Sequence, residues 1–230
     1  MRATRPPGAA TDIWAGIRDG LLFLPLYLPF AISYAVTAKM MGVASWVIVV
    51  WSAAIYAGSA QLACLSAMAS GAGLVELNVI ALMANVRHGL VAMSIAPYLK
   101  GVRKRMLPAI CFTVATSSPG LLWARARRGG PVERYALATQ VCQWGQWVLF
   151  TIVGAELGAL IPVFLVGAVL FAAPAAFLGM VMPMLRENLT RGLLVGLVAG
   201  VAAVSLPAVV SVQMAAITAA LVGALASLLL

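Results

Sequence analysis

From about Gly20 to Leu230 the sequence is a succession of apolar stretches separated by short polar loops, an alternation that leaves few ways to fold. A bilayer-spanning helix takes about 20 mostly apolar residues, whereas a β-barrel takes ~10-residue segments of alternating polarity, which this chain lacks. The hydrophobic fraction is 63% and the charged fraction 9%, with a mean hydropathy of +1.05, outside the range of soluble domains. The reading is an all-α polytopic membrane protein with seven to eight transmembrane helices, some proline-broken or re-entrant. A polar N-terminal tail over 1–19 precedes a single transmembrane domain over 20–230. The tail and the proline-containing stretch after it read as an uncleaved first span rather than a signal peptide. No length remains for a soluble catalytic or nucleotide-binding domain. The net charge of +9 falls in short loops, so it reports orientation in lipid, in a multi-pass cytoplasmic (inner) membrane protein of bacterial type, and not a nucleic-acid partner. Cys64, Cys111 and Cys142 stand alone at no metal or redox spacing, and neither a metal nor a cofactor is expected.

The most informative residues are Asn85-Val86-Arg87-His88, deep in the apolar stretch from about Leu74 to Ala96. A Lys or Arg at the centre of a spanning helix costs roughly 2.5–3.5 kcal/mol by insertion scales, so an intramembrane Arg beside the chain's only His marks either a functional site or a polar knot that holds helices together. On a straight helix Asn85 and Asn78 share a face, His88 lies about 60° away, and Arg87 points nearly the opposite way. Either the helix unwinds here or Arg87 serves a different interface from Asn85 and His88.

Other stretches suggest broken helices. Pro25 and Pro29 in the first segment each remove a backbone donor, so the helix should kink or open there. Pro174 interrupts the sixth segment, Pro162 to Met184, in a similar setting. Broken helices supply substrate sites in transporters, and a plain structural kink is the alternative. In the second segment, Val43 to Met68, the stretch Tyr56-Ala57-Gly58-Ser59-Ala60-Gln61 offers small residues for close helix packing and an amide that can bond across an interface. In the fifth, Ala136 to Leu160, residues Gln140, Gln143, Trp144 and Trp147 share a helical face that either lines a cavity or anchors at the membrane interface. Gly154 and Gly158, and the stripe Gly192, Gly196 and Gly200, allow close helix contacts, the stripe being a guess for a partner-facing surface.

Two basic loops, Lys100 to Arg105 and Arg125 to Arg134, flank the short fourth segment from Met106 to Trp123. A full crossing there violates the positive-inside pattern. Opening near Pro108 and ending in Thr116-Ser117-Ser118-Pro119-Gly120, the segment reads as a re-entrant or broken element. Both basic loops are then cytoplasmic, seven segments cross and the N-terminus is outside, against which Arg2, Arg5 and Arg18 count. Eight full crossings are the competing arrangement.

The proline pair with Phe30, the Tyr56–Gln61 stretch and above all the Asn-x-Arg-His element give the chain a resemblance to the AzlC family, the large subunit of branched-chain amino acid exporters. Resemblance implies a secondary exporter of apolar amino acids such as valine, leucine and isoleucine, working with a small AzlD-like membrane subunit. It departs from the family pattern at Ser117-Ser118, where an Asp-Glu pair is usual, and at Leu170, where an Asp is frequent.

The mechanism this suggests is proton-coupled alternating access. The site is drawn from Asn85, Arg87, His88, Gln61, Gly58, Ser59, Pro25, Pro29 and Pro174. Arg87 would hold the substrate carboxylate, its planar fork matching that group. His88 would switch charge near physiological pH. The alternatives are a structural or channel-forming membrane subunit, a transporter of a different small solute, and the permease half of an ATP-driven importer. An enzyme is not expected, since one histidine and four glutamates leave little acid–base machinery.

Overall fold

Every regular element among the described residues is helical, and three of the apolar segments are interrupted along their length. The computed structural model describes residues 9–160, 164–165, 167–168, 171, 189–205, 218 and 222–223. Helix α1 (Ala9–Leu21) meets α2 (Leu24–Met40) at a bend of 59°. Then come α3 (Ser45–Ile55), α4 (Gly58–Ala69), α5 (Leu74–Ile95), α6 (Leu107–Phe112), α7 (Ser118–Arg127), α8 (Glu133–Leu157) and α9 (Leu189–Ser205). The sixth segment with Pro174, and the last apolar stretch, lie largely outside the described residues. Of the seven to eight crossings expected, one described helix, Leu74–Leu99, is both long and apolar enough to cross a membrane, and the bent α1–α2 pair is a second if counted as one span.

The first break falls at Leu22–Phe23, ahead of the prolines expected to cause it. Pro25 sits in the first turn of α2, where a missing N–H costs no intrahelical bond, and Pro29 is accommodated inside the helix. Helix begins already at Ala9, within the stretch read as a polar tail. The second break divides what reads in sequence as one segment. Tyr56 takes the left-handed conformation, φ 45° and ψ 44°, and ends α3, so these small residues mark a helix end rather than mere packing glue. A non-glycine residue in that region costs on the order of 1–2 kcal/mol, so its surroundings must hold it there.

The third break separates α6 from α7. Their 6 and 10 residues span about 9 and 15 Å, too little for a hydrocarbon core of about 30 Å. Instead the segment rises along α8 and returns. Ile110 and Val114 pack with Tyr135 and Ala136 near the start of α8, and Ser117 reaches Gln143. On the way back Leu122 joins the Tyr135 cluster and the Arg125 guanidinium lies over the Tyr135 ring. Arg103 in the first basic loop pairs with Glu133 near the end of the second, so both loops occupy one end of α8.

The chain divides into two compact units, residues 1–56 with 85–161, and residues 57–84 with 162–230. In the first, α8 is the axis against which α1, α2 and α3 pack. A Cβ on Gly16 would lie 2.6 Å from the Tyr135 carbonyl oxygen, and one on Gly154 would lie 2.8 Å from the Ala35 Cβ. Those contacts rise together along both chains, so the α1–α2 pair runs parallel to α8. Asp12 pairs with Arg125, and the Tyr135 hydroxyl donates to Asp19 at 2.9 Å. The N-terminal helix therefore starts at the end of α8 that carries the basic loops. This corrects the expectation of an N-terminus on the opposite side, and it places Arg18 with the other cations. In the second unit α4 buries Ala60, Gln61, Leu65 and Ala67, and the Cys64 thiol lies 3.6 Å from the Leu77 carbonyl oxygen on α5.

Candidate functional site

Breaking a helix takes carbonyls from their intrahelical donors, and polar groups at membrane depth need partners from elsewhere. One turn of α8 reaches all three breaks. The amide of Ala57 would bond the Ala53 carbonyl in an unbroken helix, and at the break the Trp144 indole N–H donates to that carbonyl at 3.0 Å. Gly20 loses the amide of Leu24; its carbonyl accepts from the Phe23 amide at 3.2 Å and also from the Gln146 side-chain amide at 3.1 Å. At the tip of the α6–α7 element the bond is between side chains: Gln143 donates to the Ser117 hydroxyl at 2.9 Å and accepts from it at 3.1 Å.

Where the three breaks converge stands an aromatic cluster. Tyr27, between Pro25 and Pro29, meets the Trp147 ring edge-on at a centroid distance of 6.2 Å, and Tyr56 meets the same ring at 6.4 Å. The Tyr56 hydroxyl donates to the Tyr27 hydroxyl at 3.5 Å, and Ser117 is a second polar neighbour of Tyr27. Gln143 is 0%, Gln140 1%, Trp147 4% and Tyr56 7% exposed. Both polar atoms of Gln140 and the Trp147 indole nitrogen have no hydrogen-bond partner among the described residues. All these side chains are neutral at physiological pH, so the cluster recognises by hydrogen bonding and π-faces, not by fixed charge.

The residues singled out from sequence fall on several different elements. Pro25 and Pro29 frame Tyr27. Gly58, Ser59 and Gln61 form the opening turn of α4, in the second unit, with Gln61 fully buried. Asn85, Arg87 and His88 lie on α5, which stays helical throughout, so the unwinding alternative does not occur and positions 85 and 87 are about 200° apart around the axis. Asn85 and His88 are half-buried. Pro174 lies outside the described residues. The face of Gln140, Gln143 and Trp147, for which sequence left cavity lining and interfacial anchoring open, belongs to the cluster, together with Tyr27, Tyr56 and Ser117, to which sequence assigned no role in the site. Their signals were present in the prolines around Tyr27, the glycine two residues after Tyr56, and three glutamines in an otherwise apolar helix.

A family model described as AzlC protein matches residues 23–161, the stretch that contains every element of the cluster. The chain is 26% identical over 212 residues to the inner membrane protein YgaZ of Escherichia coli strain K12, covering 87% of this chain and 85% of that protein. No solved structure matches it.

Proposed function

The chain belongs to the AzlC protein family, and from that premise we propose that it is the large subunit of a secondary transporter that exports branched-chain or other apolar amino acids across the cytoplasmic membrane. The observation that carries this reading is the convergence of three helix breaks on the cluster of the half-buried Tyr27 and the buried Tyr56 and Trp147. Discontinuous helices near the middle of a bundle are where transporters hold their substrates. Apolar side chains ask little more than a hydrophobic pocket, which separates single methylenes poorly, so several related amino acids are carried. In this proposal a small AzlD-like membrane subunit completes the transporter. Asn85, Arg87 and His88 form the coupling element, with His88 taking and releasing the proton.

The test is efflux of preloaded radiolabelled leucine, valine and methionine from cells expressing the chain with its small subunit. Wild type should accelerate efflux, while Tyr56→Ala and Arg87→Ala at equal membrane abundance should lose most of that acceleration. Normal efflux from both variants would sink the assignment.

A further inference from the structure

Helix α3 runs against the direction of α8, with Ser52 bonded to Thr151 at 2.8 Å, Trp144 to the Ala53 carbonyl and Tyr56 edge-on to Trp147, and it stops there. Helix α7 lies on the other side of that level, beginning at Ser117 beside Gln143 and running back toward Tyr135. Gln143 and Trp147 are one turn apart on α8, about 6 Å of rise. The carboxyl end of one half-length helix and the amino end of another therefore approach the same turn of α8 from opposite directions. The first presents partial negative charge and unspent carbonyls, the second partial positive charge. On the same face of α8 the indole N–H of Trp147, at the end of α3, and the amide of Gln140, about one turn before Gln143, are both more than nine-tenths buried and carry unspent hydrogen-bonding capacity.

We infer that this place binds the zwitterionic head of an apolar amino acid without using a charged side chain, an inference that rests on the export reading. The carboxylate lies at the start of α7 and accepts from the Trp147 indole and the Gln140 amide. The ammonium group lies at the end of α3, against its last carbonyls and the faces of Tyr27 and Tyr56, where rings attract a cation. Both charges of the ligand are then matched by dipoles of fixed orientation. Neither charge alone is matched, because the ligand must supply both to satisfy both helix ends.

The experiment is equilibrium binding of radiolabelled leucine to the full-length chain reconstituted together with its small subunit in nanodiscs, with two analogues as competitors. The first, 4-methylpentanoate, lacks the ammonium group, and the second, isoamylamine, lacks the carboxylate. Each should compete at least about tenfold more weakly than unlabelled leucine, the loss of one charged hydrogen-bonding group. Trp147→Phe, which keeps the ring contacts and removes only the N–H, should weaken leucine binding about tenfold. Competition by either analogue as effective as leucine's, or undiminished binding by Trp147→Phe, would overturn the zwitterion site while leaving the export reading in place. Absence of binding by leucine, valine and methionine to the wild-type chain would overturn both.

Discussion

Ser117 and Gln143 exchange two hydrogen bonds, of 2.9 and 3.1 Å, between the tip of the α6–α7 element and the middle of α8. Removing either partner strands the other at depth. Ser117→Ala and Gln143→Leu should each destabilise the detergent-solubilised protein by about 1 kcal/mol, and the double variant by clearly less than the sum. Thermal unfolding of the four proteins closes the cycle. Additive losses would show that the bond is not a structural tie.

The pairing of Arg103 with Glu133 puts both basic loops at one end of α8, together with the start of α1. In a background lacking the three native cysteines, single cysteines at Lys100, Arg128 and Ala10 should all react with a membrane-impermeant maleimide from the same side. An arrangement in which the fourth segment crosses fully would instead divide Lys100 from Arg128.

Glycines on α8 differ sharply in the space they have. At Gly154 a Cβ would lie 2.8 Å from the Ala35 Cβ and 3.0 Å from the Ile32 Cα, whereas at Gly145 nothing stands within 4 Å. Gly154→Val should cost about 1–3 kcal/mol by forcing α2 away. Gly145→Ala should be neutral or stabilise by up to about 1 kcal/mol through helix propensity. Melting temperatures of the two variants check this contrast.

Glu133 sits at the exposed start of α8, and its hydrogen bond with the Arg103 guanidinium holds its carboxyl below the usual carboxylate range. A depressed folded-state value means that the contribution is fully present above the unfolded-state value, near 4.5, and is lost as pH falls through the folded-state one. Wild type should be slightly the more stable of wild type and Glu133→Gln at pH 7, with the difference shrinking as pH falls below 4.5 and also in high salt. Equal melting temperatures at pH 7 in low salt would show that the pair contributes nothing.

Sequence revealed the class of fold because hydropathy and charge act on whole segments, and it favoured a broken fourth segment over the competing full crossing because two basic loops flanking a crossing violate the positive-inside pattern. The 25-residue helix with its row of glutamines was equally readable. What escaped was the partner of each polar group. Gln143, Trp144 and Gln146 look alike as amphipathic decoration, but they serve breaks at Ser117, Ala53 and Gly20 that lie 26, 91 and 126 residues away in the chain. The break at Tyr56 was hidden for the same reason, since Ala and Ser tolerate helix and only Trp144 makes the freed carbonyl bearable. Arg87 and His88 drew attention because charge in lipid is conspicuous; Tyr27 and Tyr56 did not, since tyrosine in a membrane helix is ordinary.

The breaks in α1–α2 and α3–α4 precede their donors in order of synthesis. When the first helices enter the bilayer, α8 has not yet been made, and the carbonyl of Ala53 has no partner but its own helix, whereas that of Gly20 can turn to the Phe23 amide. At that stage continuous helix is the stable form across Tyr56, with the amide of Ala57 bonded to Ala53. Only when α8 arrives can that amide be released. The interruption at Tyr56 is thus acquired late in biogenesis, and a chain truncated before Glu133 should hold a straighter, more helical α3–α4 segment than the finished protein.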